Sequence, residues 1–322
     1  MKSGFLLALV LLTSTLAAGQ IAGHAGAYSR LGFGARGIGV GNAMTAVASG
    51  DINGYYNPAV LPFSGYRSLS ASFGILALDR RLNFLSYAQP LAPDAGISLA
   101  IINSGVSDID GRDSDGEPTG PLKTSENQVI LSFANRFQSG FSLGISLKLL
   151  HHHLYTDVNS LTIGIDAGLY IPVSDKLAIG AVVRDINSKY KWDTTSLYGQ
   201  SGNTTNDDFP LLYGAGLSYQ LPDSIGMIQA DLEASSESTL IARGGVEIYL
   251  IPELTLRGGI DRIDLKEKGN GIRPSAGFTL KKALGKDTIP LVNPDMIAVN
   301  YTYVFEPFAS SGIHLISLSF GF

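Results

Sequence analysis

From about residue 67 to the C-terminus, apolar and polar positions alternate with a period of two, the signature of β-strands with two unlike faces. Phe141, Leu143, Ile145, Leu147 and Leu149 are apolar, and between them stand Ser142, Gly144, Ser146 and Lys148. Leu161, Ile163, Ile165, Ala167, Leu169 and Ile171 repeat the pattern, as do Ile297, Val299, Tyr301, Tyr303 and Phe305 around Asn300 and Thr302. Fourteen such segments are predicted, from 67–78, 80–92 and 94–106 through 125–138 and 140–155 to 294–306 and 312–322. They run about 10 to 14 residues, near the length a tilted strand needs to cross a bilayer and about twice an ordinary strand. An even count suits a bacterial transmembrane β-barrel with both termini on the periplasmic side.

The connections agree with that phase. Tight turns are expected at Gln138–Gly140, Val173–Asp175, Pro222–Ser224 and Ile251–Glu253, all at the predicted periplasmic end. The two long connections, Ser107–Thr124 and Asn187–Asp208, fall on the outer side, while Ala283–Asn293 is a longer turn on the periplasmic side. The final strand ends on Phe320-Gly321-Phe322, the aromatic terminus that barrel-insertion machinery reads in many such proteins. A soluble exported sandwich shares the periodicity; strand length, loop asymmetry and the terminus favour the membrane barrel.

The first 66 residues do not alternate. Lys2, the apolar run Phe5–Leu12 and the small-residue exit Ala17-Ala18-Gly19 predict a cleaved signal peptide over 1–19, too short for a membrane anchor. Residues 20–66 are compact, glycine-dense and nearly uncharged, with a short small-residue helix expected over Asn42–Ser49. Side chains alone do not fill the lumen of so wide a barrel, so this segment is read as a plug ahead of the barrel at 67–322. Gly32, Gly34 and Gly37 match a dinucleotide fingerprint by chance, since no strand precedes them.

Composition narrows the functions. Only 16% of residues are charged, against roughly 25% in a typical soluble domain, and glycine contributes 38 of 322 residues. A net charge of −5 argues against nucleic-acid binding, and the absence of cysteine excludes disulfides, thiolate nucleophiles and a lipoprotein anchor. Five histidines accompany no serine motif and no paired carboxylates, so neither an enzyme nor a cofactor site is expected.

Candidate sites fall into five groups. Gly37, Gly39, Gly41 and Asn42, with Asn57-Pro58-Ala59, are plug residues. Asn57-Pro58-Ala59 either anchors the plug and shapes its movement or is a turn into the first strand. Lys148, Asp166, Arg184, Asp231, Glu233, Arg243, Glu247, Arg257 and Asp261 lie on the small-residue faces and hence in the lumen. They form either an ion-pair network holding the plug or a polar substrate path. Tyr190, Trp192 and Tyr198 in the long outer loop are either a partner-binding surface or girdle aromatics on a loose loop. In His151-His152-His153 neighbours point to opposite faces, so no metal site is expected. Asp108, Asp110, Asp113, Asp115 and Glu117 crowd one outer loop but miss the spacing of a calcium loop.

The run Gly37–Ala48 (G-I-G-V-G-N-A-M-T-A-V-A) followed by Tyr55–Leu61 (Y-Y-N-P-A-V-L) resembles the hatch of FadL-type outer-membrane transporters, and more closely that of their PorV/PorQ relatives. Gly180–Asn187 and the C-terminal Asn300–Tyr303 and His314–Phe320 extend the resemblance over nearly the whole mature chain. It implies a fourteen-stranded barrel with a hatch inside it, in the outer membrane of a diderm bacterium. The PorV/PorQ side implies a type IX secretion component that engages cargo and surface-attachment proteins. The FadL side implies a channel for long-chain fatty acids or another hydrophobic ligand. The expected partners are therefore outer-membrane lipid together with one of these two classes, and no nucleic acid.

Overall fold

The computed structural model describes residues 23–50, 54–155, 157–266, 271–284 and 295–322. The expected signal peptide and most of the turn at 283–293 lie outside them. The strands are β1 (Ser68–Ile75), β2 (Arg81–Leu91), β3 (Ala95–Arg112), β4 (Pro118–Arg136), β5 (Ser142–Tyr155), β6 (Val158–Pro172), β7 (Leu177–Ile186), β8 (Lys189–Asp193), β9 (Thr204–Asp208), β10 (Leu212–Gln220), β11 (Gly226–Ser235), β12 (Leu240–Ile251), β13 (Leu254–Asp264), β14 (Arg273–Ala283), β15 (Met296–Val304) and β16 (Ile313–Gly321). Fourteen of them close an antiparallel barrel in sequence order, except that β7 pairs directly with β10. The first and last strands complete the ring with an unbroken register from Ser68↔Gly321 to Ile75↔His314.

The alternation is realised as two faces. On β5, Leu143, Ile145, Leu147 and Leu149 point outward and are exposed, whereas Ser142, Ser146 and Lys148 are buried in the lumen. The same belt continues through Phe133, Leu161, Leu232, Leu256 and Ile316 around the outside. Such a surface is solvated by lipid, and the closed sheet leaves no strand edge unpaired, so this is a transmembrane β-barrel of the outer-membrane type.

Both expected outer loops are more ordered than the sequence suggested. The stretch 107–124 is a continuation of β3 and β4, which stay paired from Val106↔Thr124 to Arg112↔Pro118. Neither barrel neighbour follows it, since β2 ends opposite Gly105 and β5 opposite Ser125, so a two-stranded ribbon stands clear of the rim. The stretch 187–208 is the β8–β9 hairpin, with a short helix α2 (Thr195–Tyr198) at its tip.

The plug occupies the lumen as expected, but its helix is elsewhere. Helix α1 covers Gly34–Gly39 inside the glycine-dense run, and Asn42–Ser49 is irregular. The left-handed backbone at Gly41 (φ 65°) and Asn42 (φ 62°) ends the helix, and the next residues spend their polar groups on the wall instead of on a helical ladder. A second turn, Pro58–Phe63, is capped by Asn57, whose Oδ1 accepts from the Ala59 N–H at 3.0 Å. Phe33, Ile38, Val40, Met44, Tyr55 and Tyr56 then form one apolar cluster with Phe84, Ile102, Ile130 and Leu315 of the wall.

Glycines on the lumen face make this fit possible. A Cβ at Gly96, Gly144, Gly180, Gly245 or Gly259 would come under 3.0 Å from the plug backbone at Leu61, Ala59, Thr45, Val40 or Gly41 respectively. We expect Gly245→Val to leave the barrel folded, read as a heat-modifiable gel shift, but to loosen the plug and raise single-channel conductance. Gly65→Ala, with open space around it, should change neither.

Candidate functional site

The lumen is where plug, charge and cavity meet. The inward positions of each strand alternate with the lipid-facing ones, so a charge there avoids hydrocarbon but must find a partner inside. All nine predicted lumen residues point inward; eight of them fall into three clusters, and Asp231 instead takes up Thr45 of the plug.

The first joins β5, β6 and β7. Lys148 Nζ lies 2.7 Å from Asp166 and 2.5 Å from Asp185, and the Asp185 N–H donates to Asp166 Oδ1 at 2.8 Å. Asp185 sits at φ 65° in the bulge where the β6–β7 register shifts. The second runs from β7 to β14. Arg184 pairs with Glu233, Glu233 with Arg243 at 2.8 Å, and Arg243 with Asp261 at 2.7 Å. Arg273, itself paired with Glu306, stands 3.9 Å from Asp261. The third joins plug and wall: Arg36 of α1 donates to both Glu247 oxygens, at 3.0 and 2.7 Å, with Arg257 3.5 Å from the same carboxylate.

The plug residues converge on these clusters. Asn42 Nδ2 donates to Asp261 at 3.0 Å while its Oδ1 accepts from the Tyr56 hydroxyl at 2.7 Å. Thr45 gives both its N–H (3.0 Å) and its hydroxyl (2.6 Å) to Asp231. Asn57 Nδ2 spans the Thr45 and Leu169 carbonyls at 2.8 and 3.0 Å, and Pro58 packs beside Gly144 and Gly168. Gly37 lies under the Tyr56 ring, Gly39 against Thr302 and Arg257, and Gly41 against the Ile260 backbone. Wall hydroxyls satisfy the plug backbone: Ser317 accepts from the Ala35 N–H, Thr302 donates to the Ala35 carbonyl, and Ser275 donates to the Gly39 carbonyl.

Arg36, Thr45, Tyr56 and Asp185 complete this arrangement and were not singled out in the sequence. Arg36 carried a signal, being a cation inside an otherwise nearly uncharged glycine run. Thr45 and Tyr56 carried none, because their roles depend on which strand the plug touches.

At the outer mouth the β8–β9 hairpin folds over the rim. Tyr190 is buried against Leu150, Phe209 and Trp192, with the His152 ring 4.8 Å away and edge-on. Burial and the neighbouring Tyr28 and Glu126 push its phenol well up, so it stays protonated and donates to Glu126 at 2.9 Å. Of the three predicted partner-loop aromatics, Tyr190 is therefore packing, Trp192 is half-buried against it, and Tyr198 stands 65% exposed. His151 and His153 face outward, away from His152, and His153 meets Asn159 at 2.7 Å. In the acidic ribbon Asp110 pairs with Arg112, and Asp113 Oδ1 accepts from the Asp115 and Glu117 N–H groups in a turn.

Two sizeable cavities border the plugged region among the described residues. One of about 320 Å³ opens on the side of the C-terminal residues, between α1 and the inner faces of β12–β16, next to Arg36, Glu247, Arg257 and Lys281. The other, of about 550 Å³, is a dent in the outer wall. Small outward residues Ala181, Ala215, Ala230 and Ala242 form it, framed by Leu169, Ile179, Leu217 and Leu232. Behind it Gly180 and Gly216 lie against Thr45 of the plug, and Asp231 and Arg243 complete the floor.

No family model matches the chain, and no curated protein matches it. Solved structures do share its fold. The toluene transporter TbuX of Ralstonia pickettii is 15% identical with a TM-score of 0.61, covering 90% of this chain and 98% of its own. The CymD monoaromatic hydrocarbon channel is 13% identical (TM-score 0.63; 90% and 97% covered). A FadL homologue of Pseudomonas aeruginosa is 11% identical (TM-score 0.61; 90% and 98% covered).

Two predictions follow from the packing. Lys148→Met strands two buried carboxylates and should destabilise the barrel by about 3–5 kcal/mol, lowering its gel-shift melting temperature; adding Asp166→Asn and Asp185→Asn should recover most of the loss. Tyr190→Ala should cost about 3–5 kcal/mol at the hairpin and expose residues 189–208 to external protease, while Tyr198→Ala stays within about 0.5 kcal/mol.

Proposed function

We propose that this protein is an outer-membrane conduit for small hydrophobic compounds, functioning as FadL-type barrels do. The observation that carries the reading is the plugged fourteen-stranded barrel, shared over nine-tenths of the chain with toluene transporters and a monoaromatic hydrocarbon channel. The dent in the wall, lined mostly by alanine, leucine and isoleucine with Asp231 and Arg243 at its floor, supports a ligand that is soluble in lipid. Monoaromatic hydrocarbons and long-chain fatty acids are the ligand classes to try first. The plug, held by Arg36, Asn42, Thr45 and Asn57, would be the element that admits or blocks them.

The secretion reading keeps one observation of its own. The wall is paired between all fourteen barrel strands and both outer hairpins are built, which suits a surface that receives protein partners. One deletion strain separates the two readings. If the conduit reading holds, uptake of labelled toluene or oleate falls several-fold on deletion and returns with the wild-type gene, while the surface proteome is unchanged. If uptake is unaffected and large exported proteins vanish from the surface and accumulate in the periplasm, the secretion reading replaces it.

A further inference from the structure

The cavity on the side of the C-terminal residues has a chemistry that a purely hydrophobic cargo does not use. Its described lining brings three cations, Arg36, Arg257 and Lys281, to a single carboxylate, Glu247. That carboxylate is divided: one oxygen is 3.0 Å from Arg36 Nε and 3.5 Å from Arg257 Nε, and the other is 2.7 Å from Arg36 Nη2. Arg257 is held from behind, its guanidinium reaching Asn300 Oδ1 at 3.4 Å and the Thr279 hydroxyl, so it is fixed and buried. Lys281 is an exposed residue on β14, one inward row nearer the membrane edge, opposite Ala298. Met296, Ala298 and Phe320 give the cavity an apolar flank. Guanidinium and ammonium groups converging on one space select oxyanions, and an adjoining apolar flank accommodates an alkyl chain.

We propose that this cavity is an oxyanion site, open to the periplasm, for a phosphate or carboxylate group. An occupant would compete with Glu247 for Arg36, the residue of α1 that ties the plug to the wall there. The site is tested by binding alone, so its failure and the failure of the conduit reading are told apart.

The test is calorimetric titration of the full-length protein in nanodiscs with dodecyl phosphate, inorganic phosphate and dodecanol. Dodecyl phosphate should bind at one per barrel. Lys281→Gln should weaken it about tenfold through loss of one charge-assisted contact. Glu247→Gln, which removes the competing charge and keeps a hydrogen-bond acceptor for Arg36, should tighten it several-fold. The opposite signs distinguish a site from general damage, and heat-modifiable mobility checks that both variants are folded barrels. Inorganic phosphate binding as tightly as dodecyl phosphate identifies a free anion as the source; binding of dodecyl phosphate alone identifies an amphiphile headgroup. Dodecanol binding as well as dodecyl phosphate, or both variants shifting affinity less than twofold, overturns the proposal.

Discussion

An irregular segment packed tightly against the inside of a barrel is shielded from water, so its buried peptide groups must be met by its own turns or by the wall. That constraint explains more of this chain than any other. The described residues of the plug form one short α-helix, and several of the groups left over are met by hydroxyls placed on different strands: Ser317, Thr302, Ser275, and also Ser98 for the Gly54 N–H and Ser218 for the Ala46 carbonyl. The small inward residues that look like mere polarity in sequence are thus aimed at particular backbone atoms. The lumen glycines answer the same constraint sterically, since hydroxyls on short side chains reach the plug only if the plug lies close.

The charges serve differently. Buried ion pairs contribute little net stability once desolvation is counted, but removing one partner is expensive. Here the two clusters within the wall tie together strands that are not all neighbours, as when Arg243 on β12 bridges Glu233 on β11 and Asp261 on β13, and the third ties the plug to the wall. Shifting one strand by a residue would turn its charge out into lipid, so the network penalises wrong registers as well as a displaced plug.

The fold was legible because a lipid-facing barrel writes its two faces into every strand. The fourteen barrel strands follow from period two, and the inward placement of all nine charges from period two together with the cost of a charge facing lipid. The ribbon at 107–124 was not legible: acidic residues and glycines read as loop when neither face is buried, so hydrophobic alternation has nothing to report. The plug helix was misplaced for a related reason. Gly34–Gly39 is a poor helix by propensity and is held by the wall, whereas Asn42–Ser49 has the better composition but is drawn out by Asp231 and Asp261. Tyr190 showed its aromatic character but not its burial, because the hairpin's path over the rim is a long-range fact.

The contact between Ala35 and Ser317 spans 282 positions of sequence, and α1 leans on β14, β15 and β16, the last strands to be made. The berth of the plug is therefore built by the same strands that close the ring, since β16 both receives Ala35 and pairs with β1. A plug seated there makes contacts of the highest sequence separation, which cannot form before the C-terminal strands exist.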